Sequence, residues 1–200
     1  SLDRDHGHQG AGEAEGGAAV RLEGVNIISA SHHEGLPSGL RFTVIVTSDT
    51  ISKRIARCEQ FHDESGDTAI KLVSAAGFEV ADRVYLPNRL ERIRDAVKAA
   101  ASSGATDVVL VSGGTGISGR DQSVEAIAPL LDKELPGFGE LFRRLSYDAI
   151  GTSAIASRTT AGICGRALVF ALPGSPDAVR LALERIILPE CQHLLKMARG

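Results

Sequence analysis

Residues 108–123 read VVLVSGGTGISGRDQS, an apolar run that stops on serine and opens into glycine. The segment VVLVS has the β-branched texture of a strand buried on both faces. After it, Gly114-Thr-Gly116-Ile-Ser-Gly119 spells G-x-G-x-x-G, while the same letters spell a Gly113-Gly114-Thr115-Gly116 loop that ends on Arg120-Asp121. A dinucleotide-binding turn needs its third glycine inside the first helical turn, where helix packs closely on strand. Gly119 is instead followed by Arg-Asp-Gln-Ser, a polar approach to a helix starting near Ser123. The motif also follows the third strand of the unit rather than the first, and Glu134 falls in a charged helical stretch instead of at a strand end. A Walker A loop is excluded, because no Gly-Lys-Ser/Thr occurs in the chain.

Outward from that loop, strand and helix patterns alternate. RFTVIVTS (41–48), FEVADRVYLP (78–87) and RALVFALPG (166–174) read as further strands. Helical spacing covers 65–77, closing on Gly77, and a run from Asn88 to about Ser103, opened by Asn88-Arg-Leu-Glu91 in the form of a capping box. It also covers SVEAIAPLLDKEL (123–135), PGFGELFRRLSYDAIG (136–151), SPDAVRLALERII (175–187) and 189–199. In the 136–151 segment Phe138, Leu141, Phe142 and Leu145 recur at helical spacing, apolar enough for a core face or an interface. This alternation predicts an α/β fold of three αβα layers around a mostly parallel sheet. Ligands of such sheets bind beyond the carboxyl ends of the strands. Three strands end there in polar or glycine-rich turns: Thr47-Ser48-Asp49-Thr50, Gly113 to Asp121, and Pro173-Gly174-Ser175-Pro176.

Composition narrows the class. The 200 residues are 43% hydrophobic and 24% charged with a net charge of −3, so nothing electrostatic points to nucleic acid or an anionic membrane. Cys58, Cys164 and Cys191 are scattered and form no CxxC, which predicts free thiols in a reducing compartment. With no apolar run near 18 residues and no secretory signal, the expected location is the cytoplasm. Residues 1–40 are expected to form a tail and an extended arm, with 41–200 as the folded domain. Residues 1–19 show no apolar period and read as disordered; 20–40 carry a few apolar residues. His6, His8, His32 and His33 in these segments read as solvated side chains.

Glycines at 113, 114 and 116 permit positive φ and bare the backbone N–H groups that can cradle an anion, with the Thr115 hydroxyl as a further donor. Asp121 beside such a loop would repel a phosphate directly, which suggests a bridging Mg²⁺. A tight turn with Asp121 capping the next helix satisfies the same spacing.

SGGTGxxxRD, PLLDKELPGFGELFRRLS, IGTSAIASR and ALVFALPGSPDAV, with TSDT and DESG upstream, together resemble the MogA/MoaB family of molybdenum-cofactor biosynthesis proteins, whose domain recurs in gephyrin. The resemblance spans roughly residues 41–195. It implies a molybdopterin-binding fold, a homotrimer or hexamer, and Mg²⁺- and ATP-dependent adenylylation of molybdopterin, MoaB-type members being the most similar. By the same resemblance Gly113, Gly114, Thr115 and Gly116, with Ser48 and Asp49, contact nucleotide, and Asp121 is the catalytic, metal-associated acid. Ser153, Ser157 and Arg158, with Pro173, Gly174 and Ser175, fall on the pterin and phosphate side; Ser153 and Ser157 could equally face solvent on a helix, and Arg158 could be a surface charge. A molybdenum-insertion protein is an implied partner. One position departs from the family: its Pro-Asp is Pro87-Asn88 here. An amide can still cap a helix, but it is a poor Mg²⁺ ligand and cannot act as a base. Three functions therefore stay open: an adenylyltransferase, a molybdopterin-binding oligomer with weak or no activity, and a dinucleotide-dependent enzyme.

Overall fold

Three apolar strands with side chains alternating between two covered faces organise the chain. The computed structural model describes residues 35–200. Its strands are β1 (Arg41–Thr47), β2 (Glu79–Leu86), β3 (Val108–Ser112), β4 (Lys133–Glu134), β5 (Thr160–Cys164) and β6 (Ala167–Leu172). They form one sheet in the order β2-β1-β3-β6-β5-β4. β2, β1, β3 and β6 run parallel, while β5 pairs antiparallel with β6 and β4 antiparallel with β5.

The period of two decides which side chain meets which layer. Phe42, Val44 and Val46, with Val108, Leu110, Leu168, Phe170 and Leu172, face one core cluster. It is closed by α2 (Glu64–Ala75), α5 (Pro136–Ile150), α6 (Pro176–Ala182) and α7 (Leu188–Arg199), which supply Val73, Phe142, Val179 and Leu195. Ile45, Val109, Val111, Val169 and Ala171 face the other cluster, under α3 (Leu90–Ser102) and α4 (Ser123–Ile127) with Ile93, Val97 and Ile127. Each fully buried aliphatic or aromatic side chain contributes about 1.5–3 kcal/mol. The three-layer αβα expectation is met, and the segment of α5 sorts clearly: Phe138 and Phe142 are core, Leu141 is exposed.

Several local expectations need correcting. Residues 123–135 are not one helix: α4 stops at Ile127, Ala128–Leu130 make a single 3-10 turn, and Lys133–Glu134 join the sheet. Pro129 offers no N–H to continue an α-helix. β5, TAGIC, had no Val/Ile run to announce it; Gly162 is required there because a side chain would strike the Lys133 carbonyl of β4. Ser48-Asp49-Thr50 is not only a turn: the Ser48 hydroxyl caps α1 (Asp49–Ala56) by accepting the Ile51 N–H at 3.2 Å. The Asn88–Glu91 capping box does not form. α3 begins at Leu90 without a local side-chain cap, and its Leu90 N–H donates to the Gln122 side chain at 3.0 Å. A residue 32 positions away in sequence thus does what a neighbour was expected to do.

Residues 1–34, including the tail, most of the arm and the four histidines named above, lie outside the described residues. Of the arm, Leu40 is buried and the Pro37 carbonyl accepts the Gln192 amide at 2.8 Å. Cys58, Cys164 and Cys191 are free thiols. Among the described residues no helix is long and apolar enough to cross a membrane.

Asp107 clamps the amino ends of the sheet. Its carboxylate accepts the Arg41 backbone N–H at 2.9 Å, Arg41 Nε at 3.2 Å and Arg199 Nη2 at 2.7 Å, tying the last helical turn of α7 to β1 and β3. Burial alone would push this carboxyl up; the bonds from Arg199 and Arg41 outweigh it and hold the group below its ordinary 3.8. A depressed folded value contributes stability that is complete above the unfolded value and is lost as pH falls through the folded one. Asp107→Asn is therefore expected to lower unfolding stability by about 1–3 kcal/mol at pH 7, with the gap to wild type closing in urea titrations run below the ordinary carboxylate range. A gap independent of pH would show that the charge is not what clamps.

Candidate functional site

The carboxyl ends of β1, β3 and β6 meet at Gly113. Its N–H donates to the Leu172 carbonyl at 2.9 Å, its φ is +103°, and any Cβ would collide with the Thr47 backbone carbonyl. Gly174 sits on the other side, where a Cβ would lie 3.2 Å from Gly113 Cα. At this contact Gly113 has no room for a side chain, and Gly174 leaves only a tight fit for one.

The loop is fixed by its carbonyls. Ser123, fully buried, donates its hydroxyl to Gly113 O at 2.7 Å and its N–H to Gly114 O at 2.9 Å. The N–H groups of Gly114, Thr115 and Gly116 make no hydrogen bond among the described residues. Carbonyls tied inward and amides left free are the arrangement an anion cradle requires. Asp121 closes the loop as a turn: its Oδ2 accepts the Ser118 N–H at 3.0 Å. It does not cap α4, whose preceding residue Gln122 gives no side-chain cap either.

A cleft of about 330 Å³ brings most of the expected site together. Gly114, Thr115, Gly116 and Asp121 line one side; Ser153 and Ser157 another; Pro173, Gly174 and Ser175 a third. Ser153 lies on a 3-10 turn (Gly151–Ala156) rather than an α-helix, and Ser157 is its extended C-cap. Ser157 Oγ is buried without a protein partner, a hydroxyl whose desolvation a bound group or an ordered water would offset. Phe142, Ser146 and Ile150, four residues apart on α5, supply a mixed wall that the sequence motifs did not announce. Helical spacing was the available signal.

Other expected residues fall outside the cleft. Ser48 lines a neighbouring hollow of about 380 Å³ that shares Gly174. That hollow also includes Asp63, missed as a site residue although DESG marks it as a helix cap. Asp63 caps α2 through the Gly66 N–H at 2.9 Å and pairs with Arg83, whose hydrogen bond, with those from Gly66 and Ser65, overcomes burial and holds the carboxyl below its ordinary value. Asp49 and Asn88 line a third hollow, and the Asp49 carboxylate accepts the Asn88 N–H at 2.9 Å. The Asn88 side chain packs under Gly114, where a Cβ would meet its Oδ1. Asn88 thus touches the loop at Gly114 and lines a different hollow from Asp121. Arg158 does not line the cleft; its Nε donates to Gly116 O at 2.9 Å and its Nη1 pairs with Glu125 at 2.6 Å.

No basic side chain lines the cleft, and one carboxylate does. Anionic ligands there must rely on N–H dipoles, hydroxyls and a cation. Among the described residues no group of three or more His, Cys, Asp or Glu could cage a metal by itself. Asp121 is the one carboxylate in the lining that could ligate a cation, and Mg²⁺ is commonly held by one or two carboxylates together with substrate phosphates and water.

Residues 43–193 match a family model described as "Probable molybdopterin binding domain". The chain is 41% identical over 169 residues to molybdenum cofactor biosynthesis protein B of Bacillus subtilis (strain 168), covering 84% of this chain and 95% of that protein. Among solved structures, a molybdenum cofactor biosynthesis protein B superposes with a TM-score of 0.74 at 40% identity, covering 82% of this chain and 98% of the other. The tungsten cofactor synthesizing protein MoaB from Pyrococcus furiosus superposes with a TM-score of 0.72 at 40% identity, covering 82% and 99%.

Gly113→Ala places a Cβ against the Thr47 carbonyl in a left-handed backbone region. It is expected to cost at least about 1–3 kcal/mol in chemical denaturation, whereas Gly119→Ala, with open space at its Cβ, should change little.

Proposed function

Because the chain belongs to the molybdopterin-binding domain family, in its MogA/MoaB branch of molybdenum-cofactor biosynthesis, we propose that it adenylylates molybdopterin at the expense of ATP. The observation that carries this reading is the single cleft joining the GGTG amides and Asp121 to the Ser153–Ser157 and Pro173–Ser175 turns. A phosphate oxygen of the pterin attacks the α-phosphorus of ATP, the bond to the β-phosphate oxygen breaks, and pyrophosphate leaves. Such a transfer is mostly positioning and charge stabilisation. The free N–H groups of Gly114, Thr115 and Gly116 hold phosphate oxygens in fixed directions. Ser153, Ser157 and Ser175 orient the attacking side through their hydroxyls, and Phe142 and Ile150 exclude water from the apolar wall. Mg²⁺ supplies the positive charge that the lining lacks, with Asp121 as its protein ligand.

Asn88 favours a second reading, a molybdopterin-binding oligomer with weak or no activity. A neutral amide beneath Gly114 can support the loop but adds no charge for a cation and takes no proton. Incubation of the protein with molybdopterin, ATP and Mg²⁺ separates the two. The first reading expects adenylylated pterin and pyrophosphate from wild type, and a loss of at least about 100-fold on Asp121→Asn. Product appearing only after Asn88→Asp would assign the chain to the second reading.

The same proposal extends to a cytoplasmic homotrimer or hexamer, built from the 41–200 domain, that passes its product to a molybdenum-insertion protein. Exposed Leu141 on α5, beside an apolar groove lined by Leu135, Phe138, Ile186 and Leu194, supports assembly. Sedimentation at micromolar concentration should give a multiple of three chains; a monomer would remove this part.

A further inference from the structure

Arg158 and Glu125 form a bidentate pair beside the GGTG loop. Arg158 follows directly on Ser157, at the end of one wall of the cleft. Its guanidinium reaches across to the other wall. Nε donates to the Gly116 carbonyl at 2.9 Å, and Nη2 stands 3.5 Å from the Asp121 carbonyl. Glu125, on α4, grips the outer edge of the same guanidinium with both oxygens, at 2.6 Å to Nη1 and 3.1 Å to Nη2. The fork is thus committed on both sides to the protein. The carbonyls it touches belong to the last glycine of the GGTG loop and to the acid that closes it.

We infer that Glu125 and Arg158 form a latch on the loop beside the cleft, with Glu125 a positioning residue that holds Arg158 on the Gly116–Asp121 carbonyls. This rests on the proposed nucleotide reading of that loop, and assigns Arg158 to the loop instead of to a ligand phosphate. The physical logic is one of unequal anchoring. Gly113 and Gly114 are tied by Ser123 from beneath. Beyond Thr115, among the described residues, only the Ser118–Asp121 turn and this guanidinium hydrogen-bond the loop, and Ile117 at its tip is 78% exposed. A bidentate carboxylate orients the planar fork so that Nε faces the Gly116 carbonyl, a geometry lysine cannot reproduce. With the carbonyl of Gly116 held by Arg158, the peptide groups on either side of it and the Asp121 turn keep their places in the cleft wall.

The latch and a phosphate-binding arginine predict opposite signs for Glu125→Gln. If Arg158 waits for phosphate, removing the competing carboxylate frees it and ATP with Mg²⁺ binds more tightly. The latch instead predicts weaker binding by about tenfold, with Arg158→Lys at least as damaging and the double variant no worse than Arg158→Lys alone. Amide hydrogen exchange on the ligand-free full chain supplies a readout that needs no activity. Both single variants should speed exchange in residues 114–121 by about tenfold, with the sheet peptides 41–47 and 167–172 and the melting temperature unmoved. Unchanged exchange in that loop, or tighter ATP binding by Glu125→Gln, overturns the latch. A wild type that binds no ATP while the variants still loosen the loop would retain the latch and remove the nucleotide reading instead.

Discussion

The contact between Gly113 and its two neighbours, the Thr47 carbonyl and Gly174, is the constraint on which the rest of the site depends. Three parallel strands deliver their chain ends to one point, and no side chain fits between them. That closeness lets the Leu172 carbonyl take the Gly113 N–H, and it sets the GGTG loop directly above the sheet. A two-sided apolar core fixes the strands beneath it: Phe42, Leu110 and Phe170 on one face and Ile45, Val109 and Val169 on the other leave β1, β3 and β6 no freedom of register. Core packing and site geometry are therefore one problem in this fold.

The electrostatics of the site follow from where charge is spent. Two arginines close to functional loops are engaged by protein groups: Arg83 by Asp63 and Asp67, Arg158 by Glu125 and by backbone carbonyls. The cleft itself is left with amides, hydroxyls and Asp121. Fixed dipoles that need no reorganisation serve an anionic ligand better than flexible cations do, provided that a metal ion brings the balancing charge. Asn88 fits the same economy. It supports Gly114 from below, while Gln122 from the loop caps α3, so the α3 entrance and the loop hold each other in place.

Much of this was legible in the sequence, and for identifiable reasons. The β-branched runs at 41–47 and 108–112 could only be buried strands, the alternation with helices gave the αβα layers, and glycines at 113, 114 and 174 with Asp121 marked the turns at their carboxyl ends. Local chemistry misled where a distant partner intervened. Asn88-x-x-Glu91 has the letters of a capping box, but the cap comes from Gln122. Residues 123–135 have helical spacing, yet Pro129 ends the helix and Lys133–Glu134 complete the sheet through β5.

By itself the sequence determined the fold class and its three layers, because periodicity and glycine placement are properties of consecutive residues, and its motifs carried the resemblance to the family. Only the tertiary structure decided what those residues face. It put Ser157 and Asp121 on one cleft, Asn88 under the loop and out of that cleft, and Arg158 across the loop in the grip of Glu125. These pairings join positions tens of residues apart, and they arise where strand ends converge. No local pattern encodes them, since each depends on the register of the sheet that brings its partner within reach.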